Sequence, residues 1–261
     1  MEIHFSTILT SLLHGLILGM VLVIVAGGLT IIFGMLDVLN FAHGSLYMLG
    51  GYLGFTLATV TGSFWLALIL APIIVGFIGF LIEFFTLRPL YGRPPLHHLL
   101  LTFGISLIIQ NAIKFIWGND IYTVSIPSFL SGPTRFLGIS YPTYHLFVLF
   151  FSLGIAILIW LLISKTRYGV AVRAGTEDIE TLEANGIDSR KLFTAVFVIG
   201  TALAAIAGAA IAPMRTVYPQ MGIDIIIDAF IVVVIGAWGP SAGRCSALCS
   251  WDRPSSSERF S

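Results

Sequence analysis

Charged residues are scarce in this chain. Asp, Glu, Lys and Arg make up only 10% of its 261 residues, whereas a soluble domain usually has about 25%. Apolar residues make up 57%, and the mean hydropathy is +0.98. So few charges cannot cover an apolar core with a polar surface. The composition therefore excludes an ordinary soluble domain and predicts a protein that uses lipid as its solvent.

Cysteines, net charge and catalytic motifs are also nearly absent. The two cysteines, Cys245 and Cys249, imply no disulfide framework, and a net charge of zero gives no reason to expect a nucleic-acid partner. We find no metal-ligand spacing, nucleophile elbow or Walker A loop in the sequence. We therefore expect no metal, no cofactor and no nucleotide site, and a protein that is not an enzyme. The N-terminus lacks a basic region and a cleavage site, so we expect the first apolar run to remain as a membrane anchor.

Apolar runs dominate the chain from its start to residue 238. Seven of them lie near 7–36, 46–62, 64–85, 98–117, 144–163, 192–213 and 225–238. A helix that crosses a bilayer needs about 20 apolar residues. The pattern predicts an all-α fold, a polytopic transmembrane helix bundle over residues 1–238, in which the last run is short for a full crossing.

Lysine and arginine indicate the orientation, because they favour the cytoplasmic side. The polar connection 164–191 has five of these residues, the connection 86–97 has two, and the connection 118–143 has Arg135 alone. We expect the first two to be cytoplasmic and the third to be an ordered external cap or a short interfacial helix, since its prolines prevent one long helix. The side of the N-terminus stays open, because 37–45 is either a loop or a re-entrant break.

Small residues recur every fourth position in three places and predict close contacts between helices. The three stripes are Gly200, Ala204, Gly208 and Ala212; Gly50, Gly54 and Ala58; and Gly15 with Gly19. The runs 7–36 and 192–213 are both rich in small residues, and each is followed by a polar break and another apolar run. That arrangement indicates a diverged internal repeat, which is common in transporters.

Polar residues interrupt the apolar pattern in "DVLNFAHGSLYMLGGYLG", residues 37–54. A broken helix is tolerated at membrane depth only where its backbone is buried in protein or lines a cavity. Asn40 and His43 therefore either satisfy that backbone or contact a solute on its path. Gln110 and Asn111, in the middle of a run, either bond to a neighbouring helix or line the same path. Glu83 and Lys114 are expected to reach the interface from helix ends, and His97 and His98 to be solvated.

The connection 164–191, here called the coupling loop, is the longest charged stretch. Thr176 is expected to cap a short helix with acidic residues in its first turn, and Gly186 to end that helix. Ile179 and Leu182 give this helix a partial apolar face. The loop is either solvated or a docking element for a cytoplasmic partner.

Four blocks of the sequence resemble the branched-chain amino-acid ABC transporter permease family of the LivH type, and they occur in that family's order. They are "LTIIFGMLDVLNFAHGSLYMLGGYLG", "LRPLYGRPPLHHLLLTFGISLIIQN", "SKTRYGVAVRAGTEDIETLEANGID" and "YPQMGIDIIIDAFIVVVIGAWG". Within the third, Glu180 and Gly186 resemble the E-A-A-x-x-x-G coupling signature of ABC importers, although Thr181 and Leu182 replace its two alanines.

This resemblance implies a multi-pass permease subunit in the inner membrane of a bacterium. It implies three kinds of partner besides the lipid bilayer and the solute: a second homologous permease subunit, two cytoplasmic ATPase subunits and a periplasmic substrate-binding protein. The solute would be leucine, isoleucine or valine, although related permeases carry urea or short amides. The coupling role would fall on residues of the loop: Arg173, Glu177, Asp178, Glu180, Gly186 and Asp188. The substrate path would pass the break from Asn40 to Gly44.

Residues 239–261 depart from the family pattern. The family continues into a further apolar helix, whereas this sequence reads "GPSAGRCSALCSWDRPSSSERFS". We interpret this tail as aberrant, the product of a frameshift or a truncated gene. Two rival functions stay open. An ion-coupled secondary transporter would need a buried carboxylate, for which Asp37 and Glu83 are poor candidates, and a membrane enzyme would need a catalytic constellation.

Overall fold

The computed structural model describes residues 5–36, 39–136 and 139–238. Asp37 and the tail 239–261 lie outside the described residues. The described part is almost entirely helical. Its elements are α1 Phe5–Leu36, α2 Ala42–Thr61, α3 Phe64–Ile82, α4 Pro95–Trp117, β1 Pro133–Phe136, β2 Ile139–Pro142, α5 Thr143–Lys165, α6 Arg167–Glu177, α7 Ile179–Ala184, α8 Ser189–Ile211 and α9 Met221–Trp238.

Each of the seven predicted apolar runs contains or coincides with one long helix, so the all-α bundle is confirmed. Five helices of the described part are long and apolar enough to cross a membrane: α1, α3, α4, α5 and α8. Helix α2 is not among them, because four glycines and His43 lower its hydropathy. Helix α9 has 18 residues, which rise about 27 Å at 1.5 Å per residue, so it is shorter than a bilayer core of about 30 Å.

Helix α8 lies at the centre of the bundle and packs against α1, α2 and α3. Glycine makes these contacts close. A Cβ atom added to Gly50 of α2 would lie 2.5 Å from the Cα atom of Ala205, and one on Gly28 of α1 would lie 2.8 Å from the carbonyl oxygen of Gly200. The stripes on α2 and α8 therefore pack as predicted. The Gly15 and Gly19 stripe does not, because no described atom beyond the adjacent backbone of α1 lies within 4 Å of a Cβ at either position.

Because Gly50 is closely packed and Gly15 is not, a change from glycine to alanine is expected to have different effects on stability at these two positions. Gly50→Ala is expected to destabilise the protein by about 1–3 kcal/mol, since the new methyl group meets rigid backbone. Gly15→Ala is expected to be neutral or to stabilise α1 by up to about 1 kcal/mol, because alanine favours helix and meets open space. Unfolding of the purified variants in detergent measures both. Equal stabilities for the two variants would contradict the close contact between α2 and α8 at Gly50.

The two helix pairs α1–α2 and α8–α9 contact each other in a reciprocal way. Gly28 of α1 and Gly200 of α8 each lie against the backbone of the other. Gly44 and Gly222, near the starts of α2 and α9, approach each other in the same manner. Each helix pair thus contributes one glycine to each of the two contacts, and the internal repeat stays a prediction.

The described residues of the connection 118–142 form an ordered cap. They contain a short 3₁₀ turn, Ser128–Leu130, and the two strands β1 and β2, which pair antiparallel. Tyr122 forms a β-bridge with Val217, in the α8–α9 connection, and its ring lies against Phe55 with centroids 4.6 Å apart. The cap therefore ties this end of α2 to the connection before α9.

Candidate functional site

The break before α2 is buried in protein. Asn40 is 2% exposed and His43 is fully buried. The Oδ1 atom of Asn40 accepts a hydrogen bond from the backbone N–H of Ala42 at 3.1 Å, and Nε2 of His43 lies 3.1 Å from the carbonyl oxygen of Val25. His43 thus donates from Nε2 to helix α1. Asn40 thus bonds the backbone of the break itself, as one of the two interpretations has it, whereas His43 bonds the backbone of α1.

Two polar atoms at this break remain free. Nδ2 of Asn40 and Nδ1 of His43 have no hydrogen-bond partner in the part of the chain that the structure describes. A buried polar group without a partner costs about 1–3 kcal/mol. The amide of Asn40 therefore has one end that is hydrogen-bonded and one end that is buried without a partner.

Helix α4 supports the break with a row of polar side chains that sequence analysis missed. Thr102 is buried; its hydroxyl donates to the carbonyl oxygen of Leu39 at 3.0 Å and accepts from the N–H of Phe41 at 3.3 Å. One turn later, the hydroxyls of Ser106 and Ser45 are 2.8 Å apart. The spacing of four residues along α4 was the signal that would have found this row.

Gln110 and Asn111 have different surroundings. Gln110 is buried and donates from Nε2 to the Ser106 hydroxyl at 3.1 Å, so it extends the polar row. Asn111 is exposed and donates to the carbonyl oxygen of Leu107 on its own helix at 2.8 Å. The structure therefore directs His43 towards α1 and Gln110 towards the contact of α4 with α2, and it leaves Asn111 exposed.

A cavity of about 150 Å³ lies beside Asn40. Its walls come from α1, the break and α9: Leu29, Leu39, Asn40, Phe41, Ile226, Ile227, Phe230 and Ile231. Among these described residues Asn40 alone has a polar side chain. The cavity suits an aliphatic group next to one amide.

The coupling loop folds into two short helices, each with its own cap. Thr166 caps α6, where its hydroxyl accepts from the N–H of Gly169 at 3.0 Å. The predicted cap Thr176 is wrong: it lies inside α6 and donates to the carbonyl oxygen of Arg173. Asp178 caps α7 instead, accepting from the N–H of Thr181 at 3.0 Å. A carboxylate accepts these bonds better than a hydroxyl at the positive end of a helix.

Gly186 ends α7, as predicted. Its φ of +80° is a conformation that glycine adopts without strain. Its N–H bonds the carbonyl oxygen of Glu183 at 2.9 Å, and the N–H of Ile187 bonds that of Leu182 at 3.4 Å, which is a Schellman motif. The turn leads directly to Asp188, which caps α8 by accepting from the N–H groups of Arg190 and Lys191. Helix α7 is therefore joined to α8 by a short turn in which the N–H groups of Gly186 and Ile187 are both hydrogen-bonded.

The coupling loop is attached to the bundle by an apolar contact. Leu182 is 4% exposed and packs in a cluster with residues of α1 and α8 such as Met35 and Phe193. All six predicted coupling residues are exposed: Arg173, Glu177, Asp178, Glu180, Gly186 and Asp188. One side of the loop thus packs on the bundle, and the other leaves acidic groups exposed.

The caps predict a pH dependence confined to the loop. The hydroxyl and N–H of Thr181 lower the pKa of Asp178, and the N–H of Lys191 lowers the pKa of Asp188. Each cap therefore stabilises its helix fully above the ordinary pKa of about 3.9, and this stability is lost as the pH falls through the lowered value. Hydrogen exchange, corrected for intrinsic rates, should show α7 losing protection only below about pH 4. Helix α6, capped by Thr166, is the control; loss of α7 protection near neutral pH would contradict the assignment.

Two predictions about side chains at the end of α3 and the start of α4 were wrong. Glu83 is fully buried in a π-helical turn rather than at the interface, and it accepts hydrogen bonds from the hydroxyls of Tyr91 and Thr194, both at 2.7 Å. His98 is 4% exposed, whereas His97 is exposed as expected. Glu83 thereby joins α3, the α3–α4 connection and α8 near the coupling loop.

The sequence matches known transport proteins over most of its length. Residues 11–247 match the family model described as the permease component of the branched-chain amino acid transport system. The chain is 33% identical over 252 residues to the high-affinity branched-chain amino acid transport system permease protein BraD of Pseudomonas aeruginosa, covering 90% of this chain and 81% of that protein. It is 28% identical over 260 residues to the corresponding protein LivH of Escherichia coli, covering 93% and 83%. No solved structure matches the chain.

Proposed function

This chain belongs to the family of permease components of branched-chain amino acid transport systems, and from that premise we propose that it is the membrane subunit of an ABC importer for leucine, isoleucine or valine. It is a multi-pass membrane protein, and we place it in the inner membrane of a bacterium. Its partners are a second homologous permease subunit, two cytoplasmic ATPase subunits and a periplasmic substrate-binding protein. The chain itself contributes no nucleotide site and no catalysis.

The observation that carries this proposal is the architecture of the coupling loop. Leu182 packs in the bundle while Glu180 and its acidic neighbours face outward, so a partner that moves the loop also moves the bundle. The Schellman turn at Gly186 transmits that movement to α8, the central helix. ATP binding and hydrolysis by the partner subunits would thereby change the tilt of α8 against α1, α2 and α3, and alternate the access of the solute path.

The cavity beside Asn40 supports a branched-chain solute over urea or a short amide. Seven of its eight lining residues are apolar, whereas urea requires several hydrogen-bond partners once it is desolvated. An aliphatic side chain fits such walls, and the free amide nitrogen of Asn40 can donate to its carboxylate. Competition between radiolabelled leucine and unlabelled valine, acetamide or urea measures the preference. Leucine uptake that only urea or acetamide suppresses would contradict it.

The energy source distinguishes this function from an ion-coupled carrier. Buried Glu83 is the kind of residue that such a carrier uses, although two hydroxyl groups already occupy its oxygens. The test is leucine uptake by vesicles that contain the assembled complex and the binding protein, with ATP supplied to the ATPase subunits. Uptake is expected to continue when an uncoupler removes the proton gradient and to stop when ATP is removed. Uptake that stops with the gradient while ATP remains would establish the carrier instead.

A further inference from the structure

A second cavity lies where the coupling loop meets the bundle. Its volume is about 190 Å³, and it opens between the end of α1, the α3–α4 connection, the start of α4, α7 and α8. Met35, Leu36 and Phe193 form apolar walls, and Ile179 of α7 closes one side. Drug-sized ligands need about 300 Å³ or more. This cavity therefore suits a smaller solute, and its shape depends on the position of α7.

His98 is a buried polar group in this wall without a partner. It is 4% exposed, and neither ring nitrogen has a hydrogen-bond partner among the described residues. Tyr91 stacks on the imidazole at 6.5 Å between ring centroids, but the Tyr91 hydroxyl is directed to Glu83. The neighbouring His97 is exposed and bonds the carbonyl oxygen of Pro94. Of the two adjacent histidines, only His98 is thus buried beside the cavity.

Positive charge lies at the mouth of the same cavity. Arg93 is exposed, lines the cavity and makes no ion pair within the part of the chain that the structure describes. The first residue of α4, Pro95, also lines it, so the positive end of a 23-residue helix dipole points to this region. A guanidinium group and a helix N-terminus both favour a carboxylate.

We propose that this cavity is a second binding site for an aliphatic α-amino acid, on the cytoplasmic side of the membrane. Arg93 and the start of α4 bind the carboxylate, a neutral imidazole of His98 accepts a hydrogen bond from the ammonium group, and the apolar walls hold the side chain. A bound amino acid contacts Ile179 and restrains α7, so imported solute slows further import. This inference rests on the proposed function, because its ligand is the proposed solute.

Equilibrium binding of radiolabelled leucine to the purified complex without the binding protein tests the site. His98→Leu removes both nitrogens at similar size, and Arg93→Gln removes the charge at an exposed position where folding is not at risk. Each is expected to weaken leucine binding about tenfold or more. His97→Leu is the matched control and should bind as the unaltered complex does. No saturable binding at millimolar leucine, or unchanged binding by both His98→Leu and Arg93→Gln in assembled complexes, would overturn the site.

Uptake into vesicles preloaded with leucine tests the regulation. Preloading is expected to slow ATP-driven uptake about fivefold or more in the unaltered complex and to have little effect on the Arg93→Gln complex. Equal slowing in both would overturn the regulatory role. Uptake into empty vesicles reports the proposed function separately: if it is absent while leucine still binds in a manner that requires Arg93, the import function fails and the site stands.

Discussion

Gly186→Pro is expected to abolish most leucine uptake while the protein still inserts and assembles. Proline fixes φ near −65° and has no N–H, whereas Gly186 has a φ of +80° and its N–H bonds Glu183. The Schellman turn is lost, and α7 no longer has a fixed position relative to α8. Because coupling between sites is typically worth about 1–3 kcal/mol, we expect uptake to fall about 5- to 150-fold. ATP hydrolysis by the assembled complex is expected to continue without transport.

Gly186→Asn is the matched control, since asparagine tolerates a positive φ and keeps its N–H. It should retain most of the uptake. The measurements are uptake and ATP hydrolysis on the same preparation, with assembly checked by co-purification of the partner subunits. Normal uptake by assembled Gly186→Pro complexes would exclude this turn from energy transfer.

Asn40→Leu is expected to have the second large effect, a fall in uptake of about tenfold or more. Leucine at position 40 loses the hydrogen bond from the N–H of Ala42, which lowers the stability of the fold. It also removes a buried amide nitrogen that has no partner, which offsets that loss of stability. Stability should therefore change little. If the free nitrogen contacts the solute, uptake falls although the protein remains folded.

Asn111→Leu provides the control for this substitution. It makes the same change at an exposed position on α4, and we expect normal uptake. Initial uptake rates and unfolding in detergent are measured for both variants. A stable, fully active Asn40→Leu complex would show that the break is structural and that the solute passes elsewhere.

The long helices were predictable because apolar runs separated by polar residues leave few alternatives in lipid. The role of Gly186 was also predictable, because a glycine just after a short capped helix commonly ends that helix. The cap of α7 was misassigned because Thr176 and Asp178 are both good caps two residues apart. Their roles depend on where α6 ends, and the local sequence does not show that α6 continues to Glu177.

The buried polar residues were harder to predict because their partners are distant in sequence. Glu83 accepts a hydrogen bond from Thr194, 111 positions away, and it lies at a helix end where hydropathy indicates exposure. Gln110 and Asn111 are adjacent, yet one helical step of about 100° buries the first and exposes the second. Nothing in the apolar run around Thr102 marks it as important. Its role becomes visible only when the structure shows that it bonds the break at Leu39 and Phe41.

Site-directed crosslinking tests the energy path most directly. A single cysteine is introduced by Glu180→Cys on α7, in a chain that also carries Cys245→Ser and Cys249→Ser, and Arg135→Cys in the cap is the control. In the assembled, transporting complex we expect the cysteine at 180 to crosslink to an ATP-binding subunit and the cysteine at 135 not to do so. Failure of the cysteine at 180 to reach an ATP-binding subunit, in a complex that still imports leucine, would contradict the account.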